Sequence, residues 1–293
     1  GRWQVRGRFD TTATVLEPFC MNCTAKLVYN RIGKAGSSTM MSILSKLSIR
    51  NSFRCGIVSS FFPPSSEMME TLDKLPQSAV YVNHANFLVA RMYHLPGYMW
   101  IQVMRSPVQR IASSFYYGVD PFTRGKAAEA ELRRRKQQGI CGCASIEFYE
   151  CIQVRVQRRC AKILGRESEQ LRYFCSSEEW LGRGCSVEMA LERLSVYVLV
   201  GITERFDDTV RALEILMPRH FAGASSIYRN MRHKKVRVTN KINPLTHTNS
   251  TGIVPESTYQ LLEQNWASYH SEHLLYTTAL QRFERQLVGL GIT

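Results

Sequence analysis

Short apolar runs alternate along this chain with longer segments in which apolar residues recur every three or four positions. The apolar runs have lengths typical of buried strands and occupy residues 27–29, 54–59, 79–82, 99–104 and 196–202. Helical spacing of apolar residues is found in residues 40–47, 67–75, 107–115, 210–217 and 256–288. This alternation predicts an α/β fold with a mostly parallel sheet that is flanked by helices on both faces.

The segments between and around these elements are polar, basic or rich in cysteine. We expect residues 1–25 to form a stem or tail and residues 26–293 to form one domain. Residues 119–145 predict a long loop or partly helical insertion. Residues 146–186 predict a helical segment that is held by disulfides.

Residues 30–39, which connect the first predicted strand to the first predicted helix, have the features of a phosphate site. Gly33 and Gly36 allow a tight turn close to an anion, which the free amides at the helix N-terminus favour. Lys34 adds a positive charge, and hydroxyl donors follow at Ser37, Ser38 and Thr39.

The loop differs from a Walker A sequence, in which the lysine follows the last glycine and directly precedes Ser or Thr. Here Lys34 precedes Gly36, which disfavours an ordinary ATPase or GTPase. A plain strand–turn–helix junction with a capping serine is the alternative interpretation of this segment.

The composition favours a polyanionic partner and an oxidising compartment. The 293 residues include 38 Lys and Arg against 24 Asp and Glu, a formal charge of +14 that suits nucleic acid, acidic membranes or acidic polysaccharides. Nine cysteines and two Asn-x-Ser/Thr sequons, at Asn22 and Asn249, favour a secretory protein with disulfides. The chain lacks a run of about 18 apolar residues, the length that predicts a membrane span.

The order Gly-Lys-Ala-Gly-Ser in the loop resembles the 5′-phosphosulfate loop of sulfotransferases that use 3′-phosphoadenosine 5′-phosphosulfate (PAPS). The wider sequence of residues 29–37 is most similar to the uronyl and heparan sulfate 2-O-sulfotransferases. This resemblance extends over residues 26–285 and implies the P-loop-like sulfotransferase fold, PAPS as donor and no metal. It assigns PAPS binding to Arg31, Gly33, Lys34, Ala35, Gly36, Ser37, Ser38 and Thr39.

His84 is the candidate catalytic base, because an imidazole accepts a proton near neutral pH. A lone histidine is otherwise often structural, but residues 84–87 match the His-x-x-Phe that carries the catalytic histidine in the resembling family. That family has a second histidine two residues earlier, where this chain has Val82. Lys34 is the expected catalytic partner of His84, and Asn83 is a candidate acceptor contact.

Arg105 follows the predicted strand 99–104, and Ser113 lies two helical turns later. An arginine at a strand end can form two hydrogen bonds with a phosphate, and a serine can add a hydroxyl. The family resemblance assigns both residues to the 3′-phosphate of PAPS. It also aligns a loop that closes over the nucleotide with Arg237, Thr239 and Lys241.

The resemblance further implies acceptor contacts and disulfides. Arg31 matches a substrate-side arginine of the family. An arginine-rich run that contacts the acceptor corresponds to Arg133, Arg134 and Arg135. The two short-range disulfides of the family correspond to Cys151–Cys160 and Cys175–Cys185, whereas Cys141 and Cys143 pair with each other or elsewhere.

These assignments imply transfer of the sulfuryl group of PAPS to the 2-hydroxyl of a hexuronic acid in a glycosaminoglycan, with adenosine 3′,5′-bisphosphate (PAP) as product. The Gly-Lys-x-Gly loop is that of the uronyl branch, which favours chondroitin or dermatan over heparan as acceptor. By resemblance, we expect the catalytic part of a single-pass type II membrane protein in the Golgi lumen, assembled as a homotrimer.

Three alternatives remain. The acceptor can be a glycan on a secreted glycoprotein, or the chain can be a non-catalytic protein that binds acidic glycans. A nucleic-acid-binding module fits the positive charge, but it does not fit the sequons and cysteines, and no DNA- or RNA-binding motif is present in the sequence.

Overall fold

The computed structural model describes residues 25–57, 61–88, 97–118, 125–144, 147–161, 164, 169–182, 184–239 and 254–292, with the backbone alone for residues 233–239. The strands are β1 (Lys26–Asn30), β2 (Cys55–Ile57), β3 (Val80–Asn83), β4 (Tyr98–Met104) and β5 (Tyr197–Ile202). The helices are α1 (Ser37–Arg50), α2 (Ser65–Lys74), α3 (Pro107–Gly118), α4 (Lys126–Gln137), α5 (Phe148–Gln157), α6 (Ser177–Leu181), α7 (Val187–Leu194), α8 (Phe206–Leu216), α9 (Pro218–Phe221), α10 (Ala224–Thr239), α11 (Glu256–Asn265) and α12 (Tyr269–Gly289).

The strands of the described chain form one parallel sheet in the order β2-β3-β1-β4-β5. Leu27 in the central strand β1 lies opposite Val80 on one side and Met99 on the other. Every residue of β3 and β5 is buried, as expected of parallel strands covered on both faces. The predicted α/β fold is therefore confirmed, and the loops after β1, β3 and β4 meet at one edge of the sheet.

The helices cover the sheet through apolar stripes that the sequence pattern contains. In α1 the buried positions Met40, Ile43, Leu44 and Leu47 recur at helical spacing. Burial of each such side chain contributes roughly 1.5–3 kcal/mol. The long helix α12 packs on β5, where Gln286 donates to the carbonyl of Val198 at 2.9 Å.

One insertion follows its partly helical interpretation, and the expectation of one C-terminal helix is wrong. The insertion at residues 119–145 contains the regular helix α4, in which Glu131 forms ion pairs with Arg134 and Arg135. The single helix expected at residues 256–288 is two helices, α11 and α12. Trp266 has an extended backbone between them and is buried in a small apolar cluster with Val108 and Phe148, a tertiary contact that helical spacing does not report.

The described residues contain three disulfides, Cys141–Cys160, Cys143–Cys151 and Cys175–Cys185. The expected Cys175–Cys185 pair is confirmed, but the expected Cys151–Cys160 pair is wrong. Cys151 lies near the start of α5 and Cys160 beyond its end, so helical rise separates them by roughly 13 Å, about twice the usual Cα distance in a disulfide. The partners are instead Cys141, in the 3₁₀ turn Gly139–Gly142, and Cys143, the residue directly after that turn.

Several predicted features fall outside the described residues. These features are the sequons at Asn22 and Asn249, and Lys241 of the predicted nucleotide loop. The division into a stem at residues 1–25 and a domain at residues 26–293 also stays a prediction. Among the described helices, none has both the length and the apolar content needed to cross a membrane.

Candidate active site

The loop between β1 and α1 has a strained backbone and leaves the N-terminus of α1 open. Lys34 and Gly36 have φ values of 66° and 73°, and a Cβ on Gly36 would lie 2.7 Å from the ring of Phe206. A non-glycine residue in this conformation costs about 1–3 kcal/mol and is found mainly at functional sites. No side chain caps α1, and the amides of residues 37–39 have no acceptor among the described residues. The loop therefore offers amide donors at a positive helix end, which fits a phosphate.

Two arginines bind the carbonyl groups of this loop. Arg105, just past β4, donates to the Lys34 carbonyl at 3.3 Å, and Arg110 of α3 donates to the Gly33 carbonyl at 3.5 Å. Ser113 lies three residues after Arg110 on the same face of α3 and is 6% exposed. These contacts gather three positive charges around one turn of backbone, as a polyanionic ligand requires.

His84 follows the last residue of β3 and lies beside the loop. Because β3 pairs with β1, Asn83 is level with Asn30. A Cβ on Gly33 would be 3.6 Å from Cε1 of His84. The imidazole also stacks on the ring of Phe61, with centroids 5.0 Å apart and an interplanar angle of 11°. The fold thus brings the candidate base to the candidate phosphate loop.

The surroundings of His84 keep its imidazole neutral. Burial, and then the charge of Arg31, lowers the pKa of His84 to about 4, against the effect of a hydrogen bond to the Arg31 backbone. The ring can therefore accept a proton at neutral pH. A bound polyanion would offset the charge of Arg31 and raise this pKa towards neutrality, where proton transfer is most effective. The Nε atom of Arg31 is itself buried, and none of the described residues forms a hydrogen bond with it.

Lys34 contacts an aromatic ring at the end of α3. Its ammonium nitrogen lies 3.7 Å from the centroid of the Tyr117 ring, which is partly exposed. A cation–π contact of this kind contributes about 0.5–1 kcal/mol. A charge-assisted hydrogen bond contributes about 1.5–3 kcal/mol, so a phosphate would replace Tyr117 as the partner of Lys34.

Arg110, Tyr173 and Glu272 also belong to the site, although the sequence analysis did not select them. Glu272 is fully buried, accepts from the amides of Gln170 and Leu171 at 2.9 and 2.7 Å, and interacts electrostatically with Arg110. Burial raises the pKa of Glu272 to about 7 against the effect of these partners.

One of these residues had a usable sequence signal. Arg110 is a charged residue on the buried face of α3, beside Val108 and Ile111. Such a position indicates a functional or paired charge. Tyr173 lies in an irregular segment between cysteines, and Glu272 is one of many acidic residues, so neither had a local signal.

Replacement of Arg110 by methionine is expected to destabilise the fold on the order of 3 kcal/mol, because it leaves the Glu272 carboxylate buried without its cation. When folding raises the pKa of a carboxyl group, the folded protein becomes less stable as pH rises from the pKa of the unfolded state towards that of the folded state. The penalty in urea unfolding should therefore be larger at pH 8 than at pH 5. Equal penalties at the two pH values would contradict this role, and the double variant Arg110→Met, Glu272→Gln should remove the pH dependence.

Some predicted site residues have other structural partners. Arg135 is buried, pairs with Glu131 at 2.9 Å and donates to the carbonyl of Phe115 at 2.9 Å, so its side chain joins α4 to α3. Arg133 and Arg134 are exposed and pair with glutamates of their own helix, Glu129 and Glu131.

The remaining assignments concern Asn83, Val82 and residues 237 and 239. Asn83 is buried and donates to the Tyr81 hydroxyl at 3.0 Å. Val82, at the position of the second histidine of the resembling family, is buried in the sheet. Residues 237 and 239, expected in a loop over the nucleotide, lie in the last turns of α10, so the expected loop conformation is wrong for this part of the segment.

Sequence comparisons find similarity to known proteins over most of this chain. Residues 17–268 match the model of the sulfotransferase family. The chain is 24% identical over 267 residues to human uronyl 2-sulfotransferase, an alignment that covers 84% of this chain and 61% of that protein. It is 26% identical over 274 residues to chicken heparan sulfate 2-O-sulfotransferase 1, covering 88% of this chain and 70% of that protein. The chain thus spans less than two thirds of the length of the uronyl 2-sulfotransferases.

Proposed function

Because the chain belongs to the sulfotransferase family, we propose that it transfers the sulfuryl group of PAPS to the 2-hydroxyl of a hexuronic acid in a glycosaminoglycan. The observation that carries this proposal is the placement of His84 against Gly33 of the open phosphate loop. The relatives support the acceptor class, since their names specify uronyl and heparan sulfate 2-O-sulfation.

The residues at the sheet edge fit PAPS. The uncapped amides of residues 37–39 and the ammonium of Lys34 suit the 5′-phosphosulfate, and Arg105 with Ser113 suits the 3′-phosphate. When bound, PAPS supplies an activated sulfuryl group and a phosphate leaving group.

The side chains of this site then have separate roles in the transfer. Neutral His84 accepts the proton of the acceptor hydroxyl as the hydroxyl oxygen attacks sulfur. Lys34 and the amides of residues 37–39 stabilise the charge that develops on the departing phosphate. Arg105 and Arg110 hold the loop through its carbonyl groups, so these donors are oriented before the reaction begins. Sulfuryl transfer by these side chains needs no metal.

The proposed acceptor is a chondroitin or dermatan chain in preference to heparan. The support for this choice is that Gly33 and Gly36 give the loop the pattern of the uronyl branch. The test is incubation with radiolabelled PAPS and desulfated chondroitin, dermatan and heparan chains in parallel. We expect incorporation into at least one of the three, fastest into the first two. No incorporation into any chain, with PAP still bound, would contradict a glycosaminoglycan acceptor and favour a glycoprotein glycan or a binding role.

Replacement of Arg105 by alanine should weaken PAP binding at least about tenfold, because a charge-assisted hydrogen bond to the 3′-phosphate is lost. Calorimetry with PAP and with AMP, which lacks the 3′-phosphate, separates this effect from damage to the loop. AMP affinity should fall by a smaller factor, because AMP loses only the support that Arg105 gives to the Lys34 carbonyl. An equal loss for both nucleotides would instead assign Arg105 to the support of the Lys34 carbonyl.

We also propose action in the Golgi lumen, as part of a type II membrane protein. The three disulfides of the described residues suit an oxidising compartment. Immunolocalisation of the full-length protein tests this location. A homotrimer is proposed from the family resemblance, and sedimentation that shows only monomer would refute it.

A further inference from the structure

The Tyr173 hydroxyl contacts both the candidate base and the phosphate loop. Its oxygen lies 3.5 Å from Nδ1 of His84 and accepts a hydrogen bond from the Gly33 amide at 3.4 Å. Hydrogen bonds of this length are common at catalytic groups without ligand and shorten in the reacting complex. One phenol oxygen thus connects the two parts of the site.

Contacts of its backbone and of its ring fix the position of Tyr173. The residue lies in the 3₁₀ turn Leu171–Phe174, and its backbone carbonyl accepts a hydrogen bond from the side-chain amide of Asn30 at 2.8 Å. The ring packs on Phe62 and is 7% exposed. Burial raises the pKa of Tyr173, so the hydroxyl keeps its proton and acts through hydrogen bonding rather than as a base.

We propose that Tyr173 is a positioning residue, which orients His84 and couples it to the phosphate loop. The proposal rests on the proposed function of His84 as base. The proposal assigns the substrate proton to Nε2, because Tyr173 lies at Nδ1, and a neutral imidazole with a free Nε2 carries its proton on Nδ1. In this tautomer the single N–H of the ring is shared between the Tyr173 oxygen and the Arg31 backbone, to which the ring also hydrogen-bonds.

The coupling has a functional consequence. A phosphate that binds the loop shifts or tightens the Gly33 amide, and the shared oxygen passes that change to the imidazole. His84 is then held in the productive orientation and tautomer when the donor is in place.

The test compares Tyr173→Phe with Tyr29→Phe. Both remove a hydroxyl from a buried tyrosine ring, but the hydroxyl of Tyr29 has no hydrogen-bond partner in the described part of the chain. Tyr173→Phe should lower kcat about tenfold or more while KM for the acceptor stays nearly constant, since orientation of the base acts in the transition state. Tyr29→Phe should keep the wild-type rate. An unchanged kcat in Tyr173→Phe would overturn the proposal.

A second readout does not need turnover. In ¹⁵N spectra of labelled protein, His84 of the wild type should be the Nδ1–H tautomer, and added PAP should move its ring resonances. In Tyr173→Phe the tautomers should mix and the response to PAP should shrink. If the wild type transferred no sulfuryl group but still showed this pattern, the proposed function would be refuted and the coupling between Tyr173 and His84 would stand. Identical spectra of wild type and Tyr173→Phe would overturn the coupling.

Discussion

Replacement of His84 by alanine should lower kcat by about 10²–10⁴-fold, the usual contribution of a positioned acid or base. Binding of PAP should change little, because the His84 ring lies beside Gly33 of the loop but supplies no charge to a phosphate. Initial rates with saturating PAPS and acceptor, together with calorimetry of PAP, measure the two quantities separately.

A second histidine provides the matched control for this result. His270 is exposed on α12 and makes only a ring contact with Tyr269 among the described residues. His270→Ala should retain the wild-type rate. If His84→Ala also retained it, the base would have to be another group and the proposed mechanism would fail.

Replacement of Lys34 by asparagine should lower kcat by about 10²–10³-fold, as found when one preorganised donor to a developing charge is removed. Asparagine is the informative choice because Lys34 has a φ of 66°, a conformation that asparagine tolerates better than alanine. The rate then reports the lost charge rather than a distorted loop. Steady-state rates and urea unfolding of the same samples provide the measurement.

Two further variants delimit this effect. Lys46→Asn removes a charge from the exposed face of α1, the helix that follows the loop, and should leave the rate unchanged. Lys34→Ala should lose more stability than Lys34→Asn, because alanine at positive φ is strained. A Lys34→Asn enzyme with near wild-type kcat would show that the loop amides and arginines suffice without the lysine.

The fold was largely accessible from the sequence because its strands are local apolar runs and its phosphate loop is a local motif. Residues 79–82 and 99–104 were placed within one residue of β3 and β4. The break at Trp266 was not accessible, since it depends on packing against α3 and α5. The Cys141–Cys160 and Cys143–Cys151 pairs were missed because pairing depends on the geometry of α5 rather than on spacing along the chain.

Only part of the candidate site could be predicted from the sequence, because the rest depends on tertiary packing. His84, Lys34 and Arg105 follow predicted strands, and a parallel sheet brings the ends of its strands to one edge. Tyr173 joins them from an irregular segment through long-range contacts with Asn30 and Gly33. The structural contacts of Arg135 could not be predicted either, because a basic run does not reveal that this side chain is buried and pairs with Glu131.

The position of the transferred sulfate tests the central claim most directly. Chains labelled from radioactive PAPS would be digested to disaccharides and separated against standards of known sulfation. The proposed chemistry predicts label on the 2-oxygen of the uronic acid, and a rate of labelling at least about 10²-fold lower when His84→Ala replaces the wild type. Label confined to the amino sugar would contradict the assignment of the acceptor hydroxyl, even if PAPS were consumed at a normal rate.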